Sequence, residues 1–256
     1  MKVVILCGGQ GTRLREETEY RPKPMVEVGG RPILWHIMKT YAYYGYKDFV
    51  LCLGYKGEMI KEYFLNYEDM NCDFTIQLNE KRQIKYYDNH NEADYQVTLV
   101  NTGQDTMTGG RVKRVAKYLD DVFMVTYGDG VSNINIQNLV NFHRSHGKLA
   151  TITSVKPVSR FGVLTIDEEG CIQNFSEKPQ GEGWINAGFM VFNKKVLEYL
   201  DGDETILERE PLERLTRDKQ IMAFRHEGFF YAMDTYREYL YLSELWQSGK
   251  APWKVD

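Results

Sequence analysis

An unbroken apolar run cut short by two glycines constrains this chain more than any other feature. Val3-Val4-Ile5-Leu6-Cys7 has no polar position, and Gly8-Gly9 ends it. A strand with one wet face alternates apolar and polar residues. A run with no polar position reads as a strand covered on both faces, as in a parallel sheet between helices. A polar loop follows to about Gly30. Apolar residues then recur at helical spacing over 33–44 (Ile33, Ile37, Met38, Tyr41), and Pro32 suits the helix start. Residues 48–53 read as a second buried strand ended by Gly54, and 58–67 as a second helix. The alternation predicts an α/β fold with a doubly wound, mostly parallel sheet and right-handed crossovers. Ligands of such sheets sit beyond the carboxyl ends of the strands, and the loop after Cys7 lies at that edge.

Further along, strands are predicted over 122–127, 149–155 and 185–192, and a hairpin pairs 161–166 with 171–175 about Asp167-Glu168-Glu169-Gly170. Helices are predicted over 111–118, 136–146, 196–200, 211–215 and 236–246. Short strand-like pieces at 74–77, 84–87 and 96–100 suggest a small antiparallel insertion over 72–100. With no Pro/Ser-rich linker, repeat or low-complexity tract, residues 1–256 read as one domain with a mixed sheet.

The charge balance narrows the chemistry. Thirty-two Lys and Arg against 36 Asp and Glu give a net charge of −4, so no global basic field recruits nucleic acid or a membrane surface. An anionic ligand must be held by local groups. The N-terminal apolar run is too short for a leader or a span. The four cysteines have no C-x-x-C pair and read as reduced thiols of a cytoplasmic protein.

Such local groups follow the first strand: Gly8-Gly9-Gln10-Gly11-Thr12-Arg13-Leu14, then Arg21-Pro22-Lys23-Pro24-Met25. Glycines let backbone N–H groups close on an anion; Arg13 and Lys23 add charge, and prolines stiffen the backbone presenting Lys23. The loop is not a P-loop, because no Lys-Ser/Thr follows. It is not a dinucleotide fingerprint either, because Leu14 stands where the third glycine belongs. The plainer alternative is a glycine turn with solvated cations.

These residues resemble the signature of the sugar-nucleotide pyrophosphorylases, the sugar-1-phosphate nucleotidyltransferases, roughly G-G-x-G-T-R-L-x-P-x-T followed by P-K-P. Glu16 departs from it, standing where many members have Pro. The resemblance spans essentially the whole chain, through Tyr127-Gly128-Asp129-Gly130, Glu177-Lys178-Pro179, Asn186-Ala187-Gly188-Phe189 and Met233-Asp234-Thr235. Within the family the chain is most similar to the cytidylyltransferases acting on glucose 1-phosphate. The resemblance implies a Rossmann-like, glycosyltransferase-A-like fold. It also implies CTP and glucose 1-phosphate as substrates, CDP-glucose as product for surface polysaccharides such as O-antigen, and a homo-oligomer such as a hexamer.

Site roles follow from the same resemblance. Leu6, Cys7, Gly8, Gly9, Gln10, Gly11, Thr12, Arg13, Lys23, Thr106, Arg111 and Gly128 are expected at the nucleotide, with Arg13 and Lys23 catalytic. Asp129 and Asp234 are expected to bind Mg²⁺; two carboxylates with water and phosphate oxygens suit that ion. For Asp234 the alternative is a helix N-cap. Arg111, in Met107-Thr108-Gly109-Gly110-Arg111, has the donors to meet O2 and N3 of cytosine and to repel the N3–H of uracil. The alternative makes Thr108 a cap and Arg111 a solvated first-turn residue. Glu177, Lys178, Asn186 and Gly188 are expected at the sugar phosphate, against a surface ion pair and a bulge. Competing functions are a UTP- or dTTP-dependent transferase and a non-catalytic nucleotide-binding module.

Overall fold

The computed structural model describes residues 1–78, 83–87, 90–157, 163–176, 181 and 183–255. Seven strands form the central sheet: β1 (Val3–Cys7), β2 (Asp48–Leu53), β3 (Gln96–Asn101), β4 (Val122–Tyr127), β5 (Ala150–Val155), β6 (Ile185–Asn193) and β7 (Ile221–Arg225), in the order β7-β5-β6-β4-β1-β2-β3. Only β6 is reversed, pairing antiparallel with β4 and β5; the other neighbours are parallel. The mixed, mostly parallel α/β sheet is the one the alternation predicts.

The first strand shows why it has no polar position. Val3, Ile5 and Cys7 enter a core on one face, with α1 (Ile33–Tyr43), α2 (Gly57–Leu65), α4 (Ile136–His146) and α6 (Tyr236–Gln247). Val4 and Leu6 enter a second core on the other face, with α3 (Thr108–Arg114) and α5 (Glu210–Arg217). Val3, Val4 and Ile5 are wholly inaccessible. Alternate side chains of a strand point to opposite faces, so both sets must be apolar when helices cover both.

The structure revises parts of the sequence reading. Among the described residues of 72–100, Phe74–Ile76 and Ile84–Tyr86 form an antiparallel pair; β3 is instead the edge strand of the main sheet, parallel to β2. As an edge strand it is only half-buried and carries polar positions, which disguised its place. The strand β7, also at an edge, was not anticipated. The helix expected over 111–118 starts three residues earlier, and Ala116–Tyr118 forms a 3₁₀ turn. A Cβ on Gly109 or Gly110 would lie 2.7–2.8 Å from backbone atoms of Thr205 or Asp203, so these glycines serve close packing inside the helix. The expected hairpin is present as Val163–Ile166 paired with Ile172–Ser176.

Candidate active site

The carboxyl edge gathers the expected residues. Here β1 runs into the glycine turn, β3 into the 102–111 segment, and β4 into Gly128-Asp129. Because β6 is reversed, its first residues reach the same edge, with Asn186 opposite Ser154 near the end of β5.

A three-residue ladder brings the two aspartates together across the chain. Gly130–Ser132 pairs antiparallel with Phe230–Ala232, and the Met233 N–H donates to the Asp129 carbonyl at 2.9 Å. The residues leaving this ladder, Asp129 and Asp234, therefore flank one spot. The N-cap of α6 is Thr235, in a capping box with Glu238; the backbone N–H groups of Asp234 and Thr235 both donate to Glu238. The Asp234 carboxylate thus does no capping and faces the edge.

Lys23 fills the space between them. Its Nζ lies 2.6 Å from Asp129 Oδ2 and 2.6 Å from Asp234 Oδ1, and Arg13 Nη2 lies 2.8 Å from Asp234 Oδ1. Lys23 is only 8% exposed. Burial pulls its ammonium down most strongly, but the two carboxylates more than offset this and hold it above the ordinary lysine value. Two acids and two cations balance in charge, which lets a buried ammonium persist. A side chain on Gly128 would meet Pro24 Cγ at 2.9 Å and the Leu6 carbonyl at 3.0 Å; only glycine lets the Lys23 turn approach this closely.

The glycine turn is held from beneath. Gly11 adopts φ +63°, and Thr18 Oγ1 donates to the Gly11 and Leu14 carbonyls. The Tyr55 hydroxyl donates to the Thr18 carbonyl. Glu16 lies in a one-turn helix, Arg15–Thr18, whose last residue is held by the Thr18 and Tyr55 hydrogen bonds. Leu6, Cys7 and Gly8 are buried, while Gly9, Gln10, Thr12 and Arg13 are exposed at the edge.

Arg111 is not where the base-recognition reading puts it. The residue is 5% exposed. Nη1 donates toward Leu53 O, Thr102 Oγ1 and Gly103 O, and Nη2 toward Gly8 O and Gln104 O, at 2.7–3.1 Å. Neither terminal nitrogen is left for a base, and neither is solvated. The side chain ties together the ends of β1, β2 and β3, and a Cβ on Gly8 would fall 2.1 Å from Nη1. Thr106, also buried, lies in the same segment.

The opposite wall contains residues the sequence did not point to. Gly188 has φ +78°, and a Cβ there would lie 2.2 Å from the Tyr127 ring. The small residue in β6 therefore makes room for Tyr127 rather than directly for a sugar. Asn186 Oδ1 accepts from the Gly188 N–H at 2.8 Å. The Tyr127 hydroxyl donates to Glu208 Oε1, and Thr108 Oγ1 donates to Glu208 Oε2 at 2.6 Å. Burial first, then the Glu208 charge, raises the Tyr127 phenol above its ordinary value, so it stays a donor. Thr108 caps nothing; Met107 is the N-cap of α3. Glu208 sits in a largely acidic run, Asp201 to Glu210, that carries no signal. Glu177 and Lys178 lie outside the described residues.

The donor set at Asp129 and Asp234 suits a hard divalent cation. The ammonium of Lys23 already sits between the two carboxylates, so the spot attracts positive charge. Among the described residues no group of three or more His, Cys, Asp or Glu forms a metal cluster. Two carboxylates leave most positions to water and phosphate oxygens, as Mg²⁺ prefers.

A glycine turn, paired acids and cations at the carboxyl edge of a doubly wound sheet define a protein built to hold a nucleotide's phosphates. The chain belongs to the nucleotidyl transferase family, whose model matches residues 2–227. It is 51% identical to a glucose-1-phosphate cytidylyltransferase of Salmonella typhi over all of this chain and 99% of that one. It is 45% identical to a probable glucose-1-phosphate cytidylyltransferase of Bacillus subtilis, covering both chains in full. The crystal structure of HddC from Yersinia pseudotuberculosis superposes with a TM-score of 0.68 at 26% identity, over 96% of this chain and 99% of that one. Among the described residues no helix is long and apolar enough to cross a membrane.

Proposed function

We propose that the chain is a glucose-1-phosphate cytidylyltransferase, converting CTP and α-D-glucose 1-phosphate to CDP-glucose and pyrophosphate. The observation that carries the reading is the Lys23 ammonium clasped by Asp129 and Asp234 beside the glycine turn. Full-length identity of 45–51% to cytidylyltransferases supports the choice of substrates.

The sugar-phosphate oxygen attacks the α-phosphorus in line and pyrophosphate leaves. The attacking phosphate is already an anion near neutral pH, so no general base is needed. Positioning and charge neutralisation supply the rate. Lys23 moves from the acids to the α-phosphoryl group. Arg13, more exposed and on a flexible stem, holds the departing pyrophosphate. Asp129 and Asp234 hold Mg²⁺, which when bound offsets phosphate charge. The amides of Gly8 to Thr12 line the triphosphate. Arg111 fixes the backbone of Gly103 and Gln104, so the choice of base falls to that backbone and to Thr106. Asn186 and Gly188 form the sugar wall with Tyr127, and Glu177 and Lys178 contact the sugar phosphate.

The work is cytoplasmic, and the product feeds surface polysaccharides. Exposed apolar side chains on the two small hairpins, Phe74 and Ile76 on one, Leu164, Ile166, Ile172 and Phe175 on the other, suit a homo-oligomer, a hexamer in our reading. A panel of nucleoside triphosphates with glucose 1-phosphate and Mg²⁺, read as pyrophosphate release, tests the function. CTP should turn over fastest; faster turnover of UTP or dTTP overturns the base assignment, and no release with any of them overturns the reaction.

A further inference from the structure

One hydrogen-bond relay crosses the edge from the sugar wall to the segment beside the base, and its central residue has no role in the reaction described above. It runs from the Tyr127 hydroxyl, whose ring packs against Gly188, to Glu208 Oε1. From Glu208 Oε2 it continues to Thr108 Oγ1, which accepts from the Leu207 N–H at 2.9 Å. Every donor has one acceptor, so the polarity is fixed end to end. Around it, the 201–208 segment straps the start of α3. The Met107 N–H donates to Asp203 O and the Gly109 N–H to Thr205 O, Lys113 Nζ reaches Asp201 O, and Arg114 forks onto Asp203 with donors at 2.7 and 2.5 Å.

We infer that Glu208 is a positioning residue that sets the spacing between the two substrate half-sites, by holding Tyr127 on the sugar side and Thr108 on the nucleotide side through one carboxylate. This rests on the reading of the chain as a transferase joining a nucleotide to a sugar phosphate. In-line attack needs the two phosphates at a set separation, and a small misplacement is costly even when each substrate binds well. Among the described residues, no other side-chain hydrogen bond joins β4's end to the first turn of α3. Glu208 is exposed at the rim, so it can be changed without opening a core.

The arrangement separates geometry from charge. A glutamine at 208 keeps both bonds: its carbonyl accepts from Tyr127, and its amide donates to Thr108 Oγ1. An alanine keeps neither. The test compares wild type, Glu208→Ala, Glu208→Gln, Tyr127→Phe, Thr108→Val and the Tyr127→Phe/Thr108→Val pair, with kcat from pyrophosphate release and the affinity of CTP alone and glucose 1-phosphate alone by calorimetry. Glu208→Ala should lower kcat about tenfold, with each single-substrate affinity within about twofold of wild type, and Glu208→Gln should restore most of the rate. If Glu208→Ala does not fold, the single and paired variants decide. Tyr127→Phe and Thr108→Val should each lower kcat, and the pair should cost no more than the worse single change, because breaking either end breaks the same link. Wild-type turnover in Glu208→Ala overturns the inference. So does an equal loss in Glu208→Gln, a selective loss of affinity for one substrate, or additive losses in the pair. A wild-type chain that releases no pyrophosphate from CTP and glucose 1-phosphate overturns instead the function on which this rests.

Discussion

At the scale of single residues, the acids and Lys23 form a set whose members fail differently. Asp129→Asn and Asp234→Asn keep the size of each side chain while removing the charge proposed to hold a metal. Each should lower pyrophosphate release by about 10²-fold or more, with far-ultraviolet circular dichroism unchanged; full activity in either would remove it from the metal role. Arg111 behaves otherwise, because it faces the protein. A lysine there supplies one point charge where a fork meets five oxygens, leaving buried carbonyls unpaired. Arg111→Lys should lower stability by about 2–3 kcal/mol in urea melts and depress turnover with CTP and UTP alike. A variant that keeps its stability and only trades CTP for UTP would restore the direct base contact. The difference explains what was legible. Glycines, a P-K-P run and an Asp between glycines have spacings set by phosphate chemistry, so they stand out in one dimension. Whether an arginine faces a pocket or a ring of backbone carbonyls depends on where three strand ends meet, and spacing does not encode that.

At the scale of elements, α6 carries its acid through its cap. Thr235 and Glu238 exchange hydrogen bonds at its first turn, and Glu238 also accepts from the Asp234 N–H. Thr235→Ala should cost about 1 kcal/mol, read as a lowered melting temperature, and should weaken Mg²⁺ dependence more than CTP affinity. An unchanged Mg²⁺ requirement would show that the cap serves the helix alone. Buried strands such as β1, β2 and β4 were readable because two covered faces leave an unmistakable apolar run. The edge strand β7 was not, and β3 was read as a strand but not placed in the main sheet, since half-buried edge strands mix polar and apolar residues. The ladder of Gly130–Ser132 with Phe230–Ala232 was hidden for another reason: it joins segments about a hundred residues apart, and each half is only three residues long.

At the scale of the whole molecule, buried histidines link stability to pH. His36 is 2% exposed; its Nε2–H donates to the Val28 carbonyl, and Nδ1 accepts from the Trp253 indole. Burial, chiefly, holds its pKa down at about 4, and burial likewise holds His143 at about 4. A histidine whose folded pKa lies below its unfolded value near 6.5 favours the folded state at neutral pH. That contribution is lost as pH falls from about 6.5 toward 4, at up to about 1.4 kcal/mol per pH unit for each group. Urea melts at pH 7.5, 6 and 5 should show stability falling steadily below pH 6.5. A flat profile over that interval would mean that both rings accept a proton without loss.

The closing ladder also imposes an order on assembly. Asp129 is synthesised near the middle of the chain and Asp234 near its end, after every strand of the central sheet. A nascent chain can therefore form its sheet, its glycine turn and the Lys23 turn while still lacking one of its two acids. The two acids come together only when Phe230–Ala232 pairs with Gly130–Ser132. If the two acids act together on a cation, as proposed, local detachment of Phe230–Ala232 from Gly130–Ser132 should abolish activity before the sheet itself opens.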